Sequence, residues 1–458
     1  MINGIRCRAY PSAEQQVKLA QWIGCARVIY NAKVDEMEYF QTFARKALGP
    51  WPRLEMDQAY SQFKSKELTP FLFDVPSQVL RNASTQFMTA WQRHLKGLAS
   101  RPARKKKGRR DSVCLTSELF TLDADGLVTI GTRKHALGTF KVSLHRPVNK
   151  PNSIVVSRRA GRWYVSFNFE DPSLKPPPER QDVLADLSHL SEAQLTALTW
   201  AGDRGVTEML HGSDGKVFHL TDEAILKARR RERRKKQLQK KMARQQKGSN
   251  RRRKTKARIA KVFEQQAMVR HNFAHQVSHL LVRKTEFKVF TFEDLKIANM
   301  TKRAKPKQDE ETGQYLPNGA ASKSGLNRSI LQSCWGNITL FTHYKAERMG
   351  KVAIKVAPHH SSQTCSKCGH TSSANRHKKW FACTRCGFTS DADFNAALVL
   401  RSRGVRHVID LDWKSRKAKK KVLFRKKGLG TRPLNHVESA VAQAISSQRS
   451  VDTPPAIY

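Results

Sequence analysis

The chain has 458 residues, 39% of them hydrophobic, which is enough for about two to four domains with real cores. Its 85 lysines and arginines face only 38 acidic residues, a formal charge of +47 that a compact protein sustains only against a polyanion, nucleic acid first among them. No apolar run approaches the roughly 18 residues of a membrane span, and Met1 opens no signal-peptide pattern; a soluble protein of the cytoplasm is expected, with no membrane partner.

Residues 1–10, with NGIRCRAY, alternate as a short strand, and Pro11 and Ser12 mark a turn. From Ala13 to about Leu98 the pattern is helical: Leu19, Trp22, Ile23, Ala26, Ile29 and Tyr30 recur every three to four positions, as do Phe87, Ala90, Trp91, Leu95 and Leu98. PWPRL and LTPFLFDVP break the helices between them. RPARKKKGRRD, 101–111, is too charged to pack and reads as a joining segment, either solvated or touching phosphate through Arg104, Lys105, Lys106 and Lys107. The runs SVCLTSELFTL, GLVTI, GTFKVSL and NSIVVSRRAGRWYVSFNFE then predict a small antiparallel β-domain over about 112–171, with turns at Asp125-Gly126 and Ala160-Gly161. The lone first strand is expected to join this sheet, leaving the helical block as an insertion.

Pro172 to Arg180 reads as a linker. TALTWAGD, GVTEMLHG and GKVFHL predict three strands, the last two joined at Ser213-Asp214-Gly215. A helical hairpin hinged near Gly248 follows, its first arm, LKARRRERRKKQLQKKMARQQ, too basic to bury and its second carrying an apolar face of Val262, Phe263, Ala267, Phe273, Ala274, Val277, Leu280 and Leu281. Arg229, Arg230, Arg233, Arg234, Lys240, Arg251, Arg252 and Arg253 are its candidate phosphate contacts. EFKVFTFEDL, apolar without alternation, predicts a strand covered on both faces and ending at Glu293. A polar loop over about 301–325, one amphipathic helix over GLNRSILQSCWGNITLFTHYKAERMG and the strand KVAIKVAP come next. Beyond Gly404 the tail is basic with little apolar periodicity, and disorder is expected in at least part of it.

Eight cysteines divide into two groups. Cys7, Cys25, Cys114 and Cys334 are scattered and read as buried thiols. Cys365, Cys368, Cys383 and Cys386 form two CxxC pairs separated by fourteen residues, each followed by a turn glycine, Gly369 or Gly387. Four thiolates close the shell of one Zn²⁺, so the metal is expected to be structural, with His370 and His377 facing solvent or phosphate. Three acids stand at a strand end or helix start: Asp203, Glu293 and Asp393. Two-metal phosphodiester hydrolysis needs carboxylates converging on two Mg²⁺ ions about 3.5–4 Å apart. Taken singly, Asp203 reads as a turn former, Glu293 as an exposed charge and Asp393 as a helix cap.

Their order changes that reading. GDRGVTEMLHGSDGKVF, FEDLKIANM and TCSKCGH...FACTRCGFTSDADFNAALVL, with KSGLNRSIL and ARVIYNAKVDEM, resemble the OrfB/TnpB family of transposon-encoded RNA-guided nucleases, related to type V CRISPR effectors. The resemblance implies a multidomain α+β and α/β fold: a wedge-type antiparallel β-domain (1–10 and 109–175) with an inserted helical recognition lobe (11–108), then an RNase H-like RuvC nuclease domain. The latter comprises 182–364, the zinc knuckle 365–388 and a third segment 389–403, with 404–458 a flexible tail. It implies Asp203, Glu293 and Asp393 as the Mg²⁺-binding catalytic trio, structural Zn²⁺, a guide RNA from the transposon end and double-stranded target DNA. Asp186 in VLADL and Asp391 are rival positions; the glycine turn and SDGKVF favour Asp203, and the acidic-x-Asn-Ala-Ala pattern favours Asp393. DVLADLSHLSEAQL and the basic tail match no family segment. A nuclease-inactive, RNA-guided repressor and a zinc-ribbon accessory of transposition are the alternatives.

Overall fold

A computed structural model describes residues 2–48, 56–108, 111–172 and 176–426; PWPRL and the tail past 426 lie outside these. The chain divides into two compact units, meeting in sequence at Lys175 and Pro176.

The first unit opens with β1 (Ile2–Ala9), followed by the long helix α1 (Ala13–Leu48). Ser12 and Gln15 cap that helix reciprocally, the Ser12 amide donating to Gln15 Oε1 and the Gln15 amide to Ser12 Oγ. Helix α2 (Ser77–Leu95) packs against it, burying Tyr30, Val34, Met37, Phe87 and Trp91 together. Six strands follow: β2 (Asp111–Thr116), β3 (Phe120–Leu122), β4 (Leu127–Gly131), β5 (Ala136–Ser143), β6 (Pro151–Arg159) and β7 (Arg162–Glu170). They form a seven-stranded antiparallel sheet in the order β2-β6-β7-β1-β5-β4-β3, so β1 sits between β7 and β5. Alternation along β7 buries Trp163, Val165, Phe167 and Phe169. Ala160 and Gly161 both take positive φ in the β6–β7 turn, the primed geometry that matches strand twist. The joining segment stays at the surface, anchored at three points. Pro102 is buried, the Arg104 guanidinium pairs with Asp35 at 2.7 Å, and the Lys105 ammonium lies 3.8 Å from the Tyr30 ring centroid. Cys114 is half-buried, unlike Cys7, Cys25 and Cys334.

The second unit begins with α3 (Arg180–Ser188) and α4 (Glu192–Ala197), followed by β8 (Thr199–Asp203), β9 (Leu210–Gly212) and β10 (Val217–Phe218). The helical hairpin is α5 (Asp222–Ala243) and α6 (Asn250–Arg283), with Gly248 at positive φ between them. Then come β11 (Val289–Glu293), α7 (Ile297–Met300), a two-residue-per-strand hairpin of β12 (Lys307–Gln308) and β13 (Tyr315–Leu316), α8 (Ala320–Gln332), α9 (Trp335–Arg348) and β14 (Val352–Val356). The sheet runs β10-β9-β8-β11-β14, with β8, β11 and β14 parallel. Strand β11 is buried along its whole length. Phe290 and Phe292 pack with Trp200 against α6 and α9, while Ala201, Val289 and Ile354 pack with residues of α3 and α4 on the other face. Three short strands, β15 (Arg376–His377), β16 (Trp380–Ala382) and β17 (Thr389–Asp391), then lead into α10 (Ala392–Lys426).

Several expectations change here. The helix foreseen over Gly325–Gly350 is two helices, and the first starts at Ala320 inside the foreseen loop. Cys334 takes a φ of 49°, which redirects the chain and lets the buried Trp335 indole donate to the Gly205 carbonyl at 3.0 Å. The segment with no family assignment forms α3 and α4, whose Leu187 and Leu195 join the sheet core, and Asp186 is exposed. The chain does not leave its helix at Gly404: α10 runs through it, because Val405 and Val408 join Leu400 in the same core. A Cβ at Gly404 would lie 2.1 Å from Thr291 Oγ1. Gly404→Ala should therefore lower stability by about 1–3 kcal/mol in denaturant titration, outweighing the ~1 kcal/mol that alanine adds to a helix. Adding Thr291→Ala should recover most of that loss. No helix among the described residues is long and apolar enough to cross a membrane.

Candidate metal and nucleic-acid sites

Successive side chains of a strand point to opposite faces. Asp203 shares its face with Ala201, and Glu293 shares its face with Val289 and Thr291, the residues that pack toward α10. Phe292 pairs with Gly202 in the parallel ladder, so the two acids occupy the next positions of adjacent strands. Asp393 lies in the first turn of α10. It is not the cap of that helix. Asp391 Oδ1 accepts from the Asp393 and Phe394 amides, at 2.9 and 3.0 Å, which leaves the Asp393 carboxylate free of capping.

Burial pushes Asp203 up to about 7, and the nearby charges of Glu293 and Asp393 add to the shift. Glu293 is buried rather than exposed, and burial raises it too, opposed by Arg204 and by a hydrogen bond from Ser361. Three cationic or donor groups hold Glu293 and Asp393. The buried Arg204 guanidinium donates to the Glu293 carbonyl, the Ser361 hydroxyl donates to Glu293 Oε1 at 3.0 Å, and the Arg376 guanidinium donates to Asp393 Oδ1 at 3.0 Å. Sequence reasoning missed all three, since each acts across a gap in the chain. Carboxylates close enough for two of them to raise the third are the donor type that a hard divalent cation takes.

The four cysteines are the one set of three or more potential ligands, among the described residues, whose donor atoms all lie within 4.8 Å of one another. Sγ of Cys365 is 3.7 Å from that of Cys386, and Sγ of Cys368 is 3.6 Å from that of Cys383. A tetrahedron with Zn–S bonds of about 2.3 Å has edges of roughly 3.8 Å, so the cluster fits zinc. The backbone prepares it: Gly369 and Gly387, at positive φ, donate to the Cys365 and Cys383 carbonyls. Asn375 and Asn395 brace the knuckle, the first bonding Gln363, His370 and Thr384, the second bonding Thr364 and Ser366. His370 is half-buried and His377 exposed.

Of the basic candidates, Arg104, Lys105, Lys106, Lys107, Arg229, Arg230, Arg233, Arg234, Lys240, Arg251 and Arg253 are exposed. Arg252 is turned inward, its Nη1 donating to the Met242 and Gln245 carbonyls at the end of α5, a stabilising cap.

Two family models match: residues 1–38 match one described as a helix-turn-helix domain of the OrfB_IS605 type, and residues 335–400 match the Cas12f1-like TNB domain. The chain is 26% identical over 405 residues to a protein of Escherichia coli K12 named "Putative RNA-guided DNA endonuclease InsQ", covering 88% of this chain and 92% of that protein. A protein of Streptomyces pristinaespiralis, also named an RNA-guided DNA endonuclease in that form, is 27% identical over 377 residues, 80% of each chain. The chain is similar to the OrfB/TnpB family, at both matched segments and along most of its length. In it, residues 2–38 form β1 and part of a single helix. The TNB match spans α9, β14, the cysteine knuckle and the first turns of α10, and so includes Asp393. Its fold resembles that of Cas12f1 in a cryo-EM complex with sgRNA and target DNA, at a TM-score of 0.50 and 12% identity over 88% of this chain and 98% of the other.

Proposed function

We propose that this chain is an RNA-guided, Mg²⁺-dependent DNA endonuclease of a mobile element, and that Asp203, Glu293 and Asp393 hold the catalytic ions. The observation that carries the reading is the placement of Asp203 and Glu293 at the ends of adjacent strands β8 and β11, with Asp393 of α10 near enough for its charge, like that of Glu293, to raise Asp203. The names of the relatives support the guide RNA and DNA partners. In this reading the second unit is an RNase H-like RuvC domain interrupted by a structural zinc knuckle, and the first is a wedge sheet with a helical recognition lobe inserted after β1.

Mg²⁺, when bound, supplies activation of the attacking water and stabilisation of the leaving oxygen. Asp203 and Glu293 fix one side of the site from two hydrogen-bonded strands. Asp393 closes it from the first turn of α10. Guide–target pairing then carries sequence specificity, and the protein reads backbone.

Exposed Arg229, Arg233 and Lys240 follow one stripe of α5, with about 6 Å of helix rise between positions four apart. That stripe suits a phosphate backbone. Replacing all three with alanine should weaken guide-RNA binding across sequences and reduce the slope of log affinity against log salt by roughly three. An unchanged slope, measured by filter binding over a salt series, would place the RNA elsewhere. The test of the whole reading is a programmed cleavage assay with an RNA from the element's own end. Target DNA should be cut in Mg²⁺ and remain intact in EDTA; intact DNA in both would end the nuclease reading.

A further inference from the structure

The loop between β14 and the first knuckle cysteine is held at both ends. Arg403 of α10 donates to the Ala357 carbonyl at 2.7 Å, and Asn375 and Asn395, both bracing the knuckle, donate to Gln363 and Thr364. Inside it the Ser361 amide donates to the Pro358 carbonyl at 3.3 Å, while Gln363 and Thr364 amides converge on His360, itself at a φ of 55°. Only a loop fixed in this way can aim one hydroxyl. The Ser361 hydroxyl, on a residue 6% exposed, points at Glu293 Oε1, 3.0 Å away, with the Pro358 carbonyl at 3.2 Å as its other acceptor.

We infer that Ser361 is a positioning residue through which the cysteine knuckle sets the orientation of Glu293, a carboxylate 68 residues earlier on another strand. A side chain hydrogen-bonded to a metal-binding carboxylate fixes which oxygen faces the ion. Ser361 has no charge, so its removal changes orientation without adding or subtracting a cation near the site. The inference rests on the proposed metal role of Glu293, but it concerns how that role is enforced. The knuckle then acts on two acids: on Glu293 by its approach loop and on Asp393 by its exit.

Mn²⁺ binding to the zinc-loaded, full-length protein tests this without relying on cleavage, with free Mn²⁺ read by electron paramagnetic resonance. Ser361→Ala should weaken Mn²⁺ binding about tenfold, with a melting curve like that of wild type. In a Glu293→Gln background, which keeps the side chain's shape, the same substitution should have no further effect, because Ser361 acts only through that carboxylate. Wild-type affinity in Ser361→Ala, or a full additional loss in the double variant, overturns the inference while leaving the nuclease reading intact. Equal Mn²⁺ binding by wild type and Asp203→Asn removes the metal site itself, and the inference with it.

Discussion

Asp203→Asn is expected to abolish DNA cleavage and, in metal-free protein at pH 8, to raise the melting temperature. The first effect follows from losing a charged oxygen where two strands and a helix converge; single-turnover rates should fall about 10³-fold or more, as for members of a catalytic unit. The second follows from the pKa of about 7 that burial and two neighbouring acids impose. The folded chain binds this proton more tightly than the unfolded chain, whose aspartates titrate near about 3.9. Stability is therefore greatest below the unfolded value and declines as pH rises toward about 7, where the ionised carboxylate meets Glu293 and Asp393. Asparagine removes that decline. Wild type and variant should melt alike near pH 4 and diverge by a few degrees at pH 8, and Mg²⁺ should narrow the gap by stabilising only the wild type. Parallel melting curves across this range would show that Asp203 is not under the stress assigned to it.

The parts of this site that were legible in the sequence are those with local signatures. A strand covered on both faces announces itself as an unbroken apolar run, which is how VFTFE and its terminal Glu293 could be placed. CxxC spacing announces the knuckle, since four sulfurs must reach one ion. Acidic positions were ambiguous where two candidates sat two residues apart; Asp391 accepts the amide bonds that cap the helix and Asp393 does not, which is the ground on which we assign Asp393 to the metal. What stayed hidden depends on tertiary context. Gly404 looked like the end of a helix, yet its missing side chain admits Thr291 of β11 and the helix continues. Ser333 and Cys334 carry no helix-breaking signal, and the break is enforced by the burial of Trp335 against Gly205. Arg252 sits in a run of arginines as if for phosphate, but the uncapped carbonyls of α5 claim it.

Cys383→Ser is expected to slow cleavage by about 10- to 100-fold while guide-RNA affinity changes little. The knuckle has almost no core of its own: Cys365, Phe381, Cys383 and Ala392 are its buried hydrophobic residues, with Phe388 packed beside them. A segment this small would draw folding free energy from a metal bound by its four cysteines. Losing one thiolate should therefore release what the knuckle holds, which includes Arg376 on Asp393, Asp391 at the head of α10 and the loop that carries Ser361. The exposed basic residues of α5 stand on a separate helical hairpin with its own caps, Thr221 and Ser249, so their stripe survives. The check pairs zinc content by metal analysis with binding and single-turnover cleavage on the same preparation. Zinc-depleted protein that binds RNA normally and cuts slowly would place the knuckle's function in holding the carboxylates; zinc-depleted protein that cuts at the wild-type rate would show that the two sites are merely adjacent in the chain.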